Sequence, residues 1–358
     1  MTAVRTGYLV TAVAGLMLII SGCGSPPPPD ASSTQPNRQL PADCTTHIGD
    51  PEGAQTALAQ ALPGETVCLQ GNGLADAELN MVVSGTPSEP ITIAADGAIV
   101  RSIDINADYV IVDGFSLFDG AGLNMKGRGI VARNNVLHNP AADGILCDSC
   151  FDTIIESNTV QRADGTGIYL IGERITVRNN TVSESVLLTQ GDADGIRFFG
   201  SGHRLTGNTI KDIKETGYGY DPRGGPHTDC FQTFSAPKHP PTYDVVIADN
   251  ICTNVDVQCL IATGKGGGAR GTPPGQTAIT FERNICEVNG SQAVLLENFP
   301  HVTVRDNSFS GARYRAVQLN GGSTDSVVTG NTVLGPLLPY EIDEQSRPGF
   351  QAQDNVRR

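Results

Sequence analysis

Along most of the chain apolar and polar residues alternate in short runs, as in Ile175-Thr176-Val177, Val245-Val246-Ile247, Val302-Thr303-Val304 and Val327-Val328-Thr329. A period of two predicts strands with one buried face. Most of these runs lead into an Asn: Asn134, Asn158, Asn180, Asn208, Asn250, Asn284, Asn307 and Asn331 open similar Asn-x-apolar triplets. Their successive separations are 24, 22, 28, 42, 34, 23 and 24 residues. Asp113, within Tyr109 to Phe115, reads as an earlier, degenerate member of the series. A second pattern alternates with the first, in Asp143-Gly144-Ile145, Gly167-Ile168-Tyr169, Asp194-Gly195-Ile196, Asp229-Cys230-Phe231, Gln258-Cys259-Leu260, Ala293-Val294-Leu295 and Ala316-Val317-Gln318.

Two or three short strands per repeat, with no helix-length segment between them, describe the coils of a solenoid. The leucine framework of a leucine-rich repeat is missing, so the pattern predicts an all-β, right-handed, single-stranded parallel β-helix. Coils stacked about 4.8 Å apart bring equivalent side chains into ladders, and Asn suits a bend because it tolerates turn geometry and can bond along the ladder. Residues 51–61 carry Ala and Leu at helical spacing before Pro63-Gly64 switches the chain to extended alternation. This start resembles the capping helix and first coil of the pectate-lyase-like superfamily, where such a helix covers the open end of the apolar column. The solenoid is expected over residues 43–336, followed by a polar, irregular cap or tail over 337–358.

Composition narrows the class. Of 358 residues 42 are Gly, without the three-residue period of collagen, and 39% are apolar, too many for a disordered acidic chain. The formal charge of -14 argues against nonspecific nucleic-acid binding, which needs clustered Lys and Arg. Residues 1–22 place one basic side chain, Arg5, before an apolar stretch that ends at Ser21-Gly22-Cys23. This resembles a bacterial lipoprotein signal. The resemblance implies cleavage before Cys23, acylation of its thiol, and a Pro- and Ser-rich tether over 23–42 at the outer face of a cell membrane or envelope. The expected contacts are therefore a membrane through the lipid alone and an envelope or environmental polysaccharide, with no nucleic acid and with the protein a monomer.

The other eight thiols, in an exported chain, suggest disulfides. Cys252 and Cys286 share one ladder position, and Cys230 and Cys259 share another. Stacked neighbours lie near disulfide range, which predicts the links Cys252–Cys286 and Cys230–Cys259. Cys44 with Cys68 would staple the N-terminal cap, and Cys147 with Cys150 would close a small loop. The alternative is a set of free, buried structural thiols.

Insertions over residues 186–196, 211–229 and 264–277 interrupt the period, and loops clustered on consecutive coils commonly wall a functional groove. Aligning the Gly-Ile repeats stacks Asp194 beside Asp229, with Gln258 on the next coil. Tyr169, Arg197 and Gln232 form a neighbouring ladder that strand alternation turns outward. His227 lies two residues before Asp229, and Tyr218, Tyr220, Asp221 and Arg223 lie in the insertion above. Stacked carboxylates raise one another's pKa unless a cation intervenes, which suits acid–base chemistry. The plainer reading of Asp194 is a bend residue, because Asp143 occupies the same pattern.

The run Tyr218-Gly219-Tyr220-Asp221-Pro222, with His227 beyond, is similar to the Tyr-Gly-aromatic-Asp-Pro-His signature of mannuronan epimerases, which share their fold and reaction logic with alginate lyases. Here Arg223-Gly224-Gly225-Pro226 separates Pro222 from His227. By the resemblance Tyr218 and His227 are acid–base groups, Asp221 assists charge neutralisation, and Arg197 holds a uronate carboxylate. Tyr169, Tyr220, Arg223 and Gln232 join the list of substrate-binding candidates. Such a lyase or epimerase needs a base and either a positive group or Ca2+ to hold the developing anion. A glycoside hydrolase using Asp194, Asp221 and Asp229 is the chemical alternative. A noncatalytic glycan-binding or adhesion solenoid is the other.

Overall fold

A computed structural model describes residue 44 and residues 47–188, 192–215, 227–264, 272–273 and 275–358. Cys23, the signal segment and the tether lie outside the described residues. Every ladder between named strands is parallel, and most coils contribute three strands to three walls, here called faces A, B and C, while in two N-terminal coils a single strand, Ile99–Asn106 or Ser116–Arg128, covers both B and C. One coil runs through Ile154–Glu156 on face A, Thr159–Gln161 on face B and Ile168–Glu173 on face C. The next repeats this with Thr176–Arg178, Thr181–Ser183 and Ile196–Ser201. The register is strict: Ile155 pairs with Val177, Val160 with Val182 and Leu170 with Phe198, and all six side chains are buried in the central column. The molecule is a parallel β-helix, as its alternation predicts.

The bend between faces A and B explains the Asn repeat, with one adjustment. The ladder residue is Asn135 rather than Asn134, because Asn134 takes the left-handed conformation (φ 57°) that precedes the ladder position. Ser157, Asn179, Gly207, Asp249, Arg283 and Asp306 fill the same left-handed slot on later coils. From Asn135 to Asn355 each ladder amide then bonds to the next. Asn158 Nδ2, for example, donates to Asn180 Oδ1 (3.0 Å), and Asn180 Nδ2 to Asn208 Oδ1 (3.0 Å). At the earlier, degenerate coil the ladder place belongs to Phe115, whose backbone N–H donates to Asn135 Oδ1 (3.0 Å); Asp113 instead holds Arg133 and Asn134.

The Gly-Ile repeats have a different cause. Gly167 and Gly195 do not have positive φ; they are small because face B approaches. A Cβ on Gly167 would lie 2.2 Å from Val182 Cγ1, and one on Gly195 would lie 2.6 Å from Ile210 Cγ2.

At the N-terminal end Asp50 caps helix Pro51–Gln60 by accepting from Gly53 N (2.8 Å), with Pro51 in the first turn, and Ala54 and Leu58 join the buried core. At the other end the expected irregular tail adds one more coil instead. Leu338–Ile342 pairs with Arg315–Asn320, Gln351–Gln353 with Val327–Thr329, and Val356–Arg357 with Thr332–Val333. Its polar side chains are mostly exposed.

Disulfides link Cys44 to Cys68 and Cys147 to Cys150, the expected pairs. The other two links correct the expectation: Cys230 joins Cys252, and Cys259 joins Cys286. Cys252 and Cys286 are indeed register partners on face B, but stacked side chains run parallel into the core. Each sulfur instead meets the one at the entry to face C of the preceding coil, with Cα atoms 6.2 Å and 5.9 Å apart.

Candidate functional site

Residues 186–196 and 211–229 fall between face B and face C, whereas residues 235–244 and 264–277 fall between face C and face A. The described ends of these insertions thus lie at both borders of face C, whose outward side chains carry the candidate residues. Tyr169 pairs with Arg197 and Arg197 with Gln232, the predicted outward ladder. One alternation further on, Phe199 and Phe234 take a second outward position.

Asp194 and Asp229 stand at the border of faces B and C, fully buried. Their Oδ1 atoms do structural work: Asp194 accepts from Asp229 N (3.1 Å) and Asp229 from Gln258 N (2.9 Å). Asp143 does the same for Thr166 N (2.8 Å), so the bend reading holds for one oxygen of each carboxylate. The second oxygens differ. Asp194 Oδ2 accepts from Arg197 Nη2 (2.5 Å), and Asp229 Oδ2 faces His227 Nδ1 at 3.8 Å and Gln232 Nε2 at 3.4 Å. Asp192, absent from the sequence-based candidates, completes the group: its Oδ2 accepts from Arg197 (2.8 Å) and its Oδ1 from His227 N (3.2 Å). It is 25% exposed, and the His227 side chain 60%.

Burial drives the Asp194 carboxyl up to about 7, against the pull of Arg197. Burial also raises Asp229, while His227 opposes the rise. Contact with Asp229 pushes the His227 imidazole up to about 9, so it is cationic near neutrality. The folded chain therefore binds both protons more tightly than the unfolded chain. Stability should fall as pH rises from 3.8 to 7 through Asp194, and again from 6.5 to 9 through His227. In melting curves across this range, Asp194→Asn should flatten the lower step and His227→Gln the upper. A wild-type transition that climbs through the upper window would contradict the assignment.

An aromatic wall flanks the charges. His239 stacks on Phe199 with ring centroids 4.0 Å apart, and its Nε2 lies 3.3 Å from the Tyr169 hydroxyl. Phe234 meets Phe199 edge-on at 4.9 Å. The Arg197 guanidinium lies 5.6 Å from the Tyr169 ring centre and 5.8 Å from that of Phe234. Arg197 Nε, Gln232 Oε1, Gln258 Oε1, Thr228 Oγ1 and His239 Nδ1 are buried without a protein partner. Phe199 and Phe234 were legible from alternation, two residues past Arg197 and Gln232. His239 and Asp192 sit in insertions, where no period marks them.

Tyr218, Tyr220, Asp221 and Arg223 lie outside the described residues. Among the described residues no three His, Cys, Asp or Glu side chains converge as a metal site. All six oxygens of Asp192, Asp194 and Asp229 already face an N–H donor or the His227 ring. These carboxylates are thus committed to N–H donors and to the His227 ring among the described residues.

Residues 121–333 match the family described as "Right handed beta helix region". No curated protein matches the chain. Among solved structures, a mutant tailspike protein of E. coli bacteriophage HK620 in complex with a hexasaccharide aligns with a TM-score of 0.56 and 10% identity, covering 87% of this chain and 63% of that one. The chain thus spans less than two thirds of the tailspike. An alginate lyase from Paenibacillus sp. str. FPU-7 aligns with a TM-score of 0.46 and 15% identity, over 86% of this chain and 97% of that one. A PL6 family polysaccharide lyase from Pseudopedobacter saltans gives 0.49 and 10%, over 88% and 92%. At such identities the tailspike likeness establishes a shared fold, and function has to be argued from the site.

Proposed function

The chain belongs to the right-handed β-helix family, and from that premise we propose that it is an enzyme acting on a polysaccharide laid across face C. The observation that carries this reading is His227: an exposed imidazole backed by a fully buried carboxylate, beside the Asp192–Arg197–Asp194 cluster and the aromatic wall. Nδ1 faces Asp229, which leaves Nε2 to reach a substrate. Held protonated near neutrality, the ring serves as a general acid that protonates the leaving glycosidic oxygen, a role worth about 10² to 10⁴ in rate. Asp192, the most exposed of the three carboxylates, accepts the proton from an attacking water. Tyr169, Phe234 and His239 offer sugar-stacking surfaces.

Hydrolysis is the first reading because three carboxylates accompany two cations, each of them already paired, and such a field suits the positive charge that develops on a neutral sugar. β-Elimination or C5 epimerisation is the second. It is supported by Arg197, a cation in the outward ladder of face C that suits a uronate carboxylate. In that reading Tyr218, Asp221 and Arg223 would supply the base and the remaining charge.

Product analysis separates the two. The purified protein should release saturated reducing ends from at least one polysaccharide in a mixed neutral and uronate panel. Unsaturated uronate ends or epimerised residues would replace hydrolysis with the second reading. Saturable binding with no change in the polymer would remove the enzymatic proposal and leave an adhesion module.

A further inference from the structure

Face C continues well beyond the centre, and its outer rows carry chemistry of their own. Towards the N-terminus the outward column that holds Tyr169 and Arg197 extends through Leu146, Asn124, Asp104 and Asn80, in register. Asn106 pairs with Lys126 in the neighbouring column. Towards the C-terminus Gln232 is followed by Ile261, Leu295 and Gln318, and Phe234 by Thr263, Glu297 and Asn320. From Asp104 to Glu297 this strip crosses seven coil steps, roughly 34 Å at about 4.8 Å each. That length accommodates several consecutive sugars.

Among the described residues of these rows, exposed carboxylates outnumber the cations left without an ion pair. Asp104, Asp148 and Glu297 are exposed carboxylates, and none has an ion-pair partner among the described residues. Asp104 is held by Asn124 Nδ2 (2.9 Å) and Asp148 by Ser149 Oγ (3.2 Å), both neutral donors. Lys126 is the cation of the N-terminal rows, and at the far end Arg315 is spent on Glu341 (2.9 Å). Arg197 and His227 at the centre are likewise matched by Asp192, Asp194 and Asp229. The other polar side chains exposed or half-exposed along these columns are neutral, the amides of Asn80, Asn106, Asn124 and Asn320 and the hydroxyl of Thr263, which can both donate to and accept from sugar hydroxyls.

A polyuronate places a carboxylate on every sugar, and sugars repeat at nearly the spacing of the coils. Asp148 lies two coil steps from Arg197 and Glu297 two from Gln232, a distance comparable with the Debye length at physiological ionic strength. Repulsion would then meet the polymer on both sides of the centre. We infer that face C takes a neutral, hydroxyl-rich glycan over its outer rows and rejects polyuronates. The inference rests on the reading of face C as the glycan-binding face. It deepens that reading by assigning the substrate class through the flanking Asp104, Asp148 and Glu297.

The test is a set of binding isotherms for the full chain at ionic strengths of about 0.05 and about 0.5 M. The probes are oligosaccharides of arabinan, galactan, mannan and β-glucan, with oligogalacturonate and oligomannuronate as polyanions. At least one neutral series should bind with less than about twofold dependence on salt, and both uronates should be at least about tenfold weaker at low salt. In the triple variant Asp104→Asn, Asp148→Asn, Glu297→Gln, the ratio of uronate to neutral-glycan affinity at low salt should rise at least about fivefold, and an unchanged ratio would overturn the charge argument. Uronates that bind more tightly than every neutral glycan, with salt weakening them, overturn the substrate class but leave face C as the binding face. No saturable binding to any member of the panel overturns both.

Discussion

Replacing His227 by Ala should lower turnover by at least about 100-fold while leaving the folding transition near that of the wild type. The side chain is 60% exposed, so its removal forfeits little buried surface. The damage falls on the proton donor and on Asp229, which loses the cation that opposes its rise and is driven further towards its neutral form. Asp229→Asn gives the sharper diagnosis. Without the carboxylate His227 loses the main cause of its shift to about 9. For a general acid, activity falls as pH rises through its pKa, so the alkaline limb of the rate profile should move to lower pH in Asp229→Asn. A purely structural Asp229 would reduce stability without moving that limb. Retained activity in both variants would remove the proposed centre.

The contrast between the two carboxylates and their structural relative Asp143 shows how far the sequence could be read. All three sit in one pattern and all three cap a backbone N–H of the next coil. Register alone separates a coil bend from a candidate site poorly, because the Oδ1 atoms behave alike. What distinguishes Asp194 and Asp229 is the partner of the other oxygen, and Arg197 was legible because it stands one alternation past an inward apolar residue. Asp192 and His239 were not, since each is fixed by an insertion whose path no repeat dictates. The same limit governs the disulfides. Position in a ladder identified which cysteines stack, but bonding depends on side-chain direction, and the two diagonal links across the core prevail over the two along it. The ladder register shifted by one residue at Asn134 for a related reason: Asn serves both the left-handed slot and the buried slot, and the adjacent pair Asn134-Asn135 fills both.

Asn180→Ala should be among the most destabilising single changes in the column, costing about 3–6 kcal/mol. The side chain is buried and fully engaged. Its Oδ1 accepts from Asn158 N (2.9 Å) and Asn158 Nδ2 (3.0 Å), while its Nδ2 donates to Ile155 O (2.9 Å) and Asn208 Oδ1 (3.0 Å). Alanine would strand the Asn158 amide donor, the Asn158 backbone N–H and the Ile155 carbonyl in the core, at about 1–3 kcal/mol for each group that finds no water. Asn180→Asp offers no rescue, because a carboxylate cannot donate to Ile155 O and its charge is buried without a cation nearby in the ladder. The end of the ladder supplies the control. Asn355 makes the equivalent bonds, accepting from Asn331 N and Nδ2 and donating to Val328 O, but it is only half-buried, so water can replace them and Asn355→Ala should cost about 1 kcal/mol. Urea denaturation of the two variants against the wild type measures the difference. Equal losses at both positions would mean that the ladder contributes through bend geometry alone, since only a cost set by buried, unpaired amides depends on depth in the column.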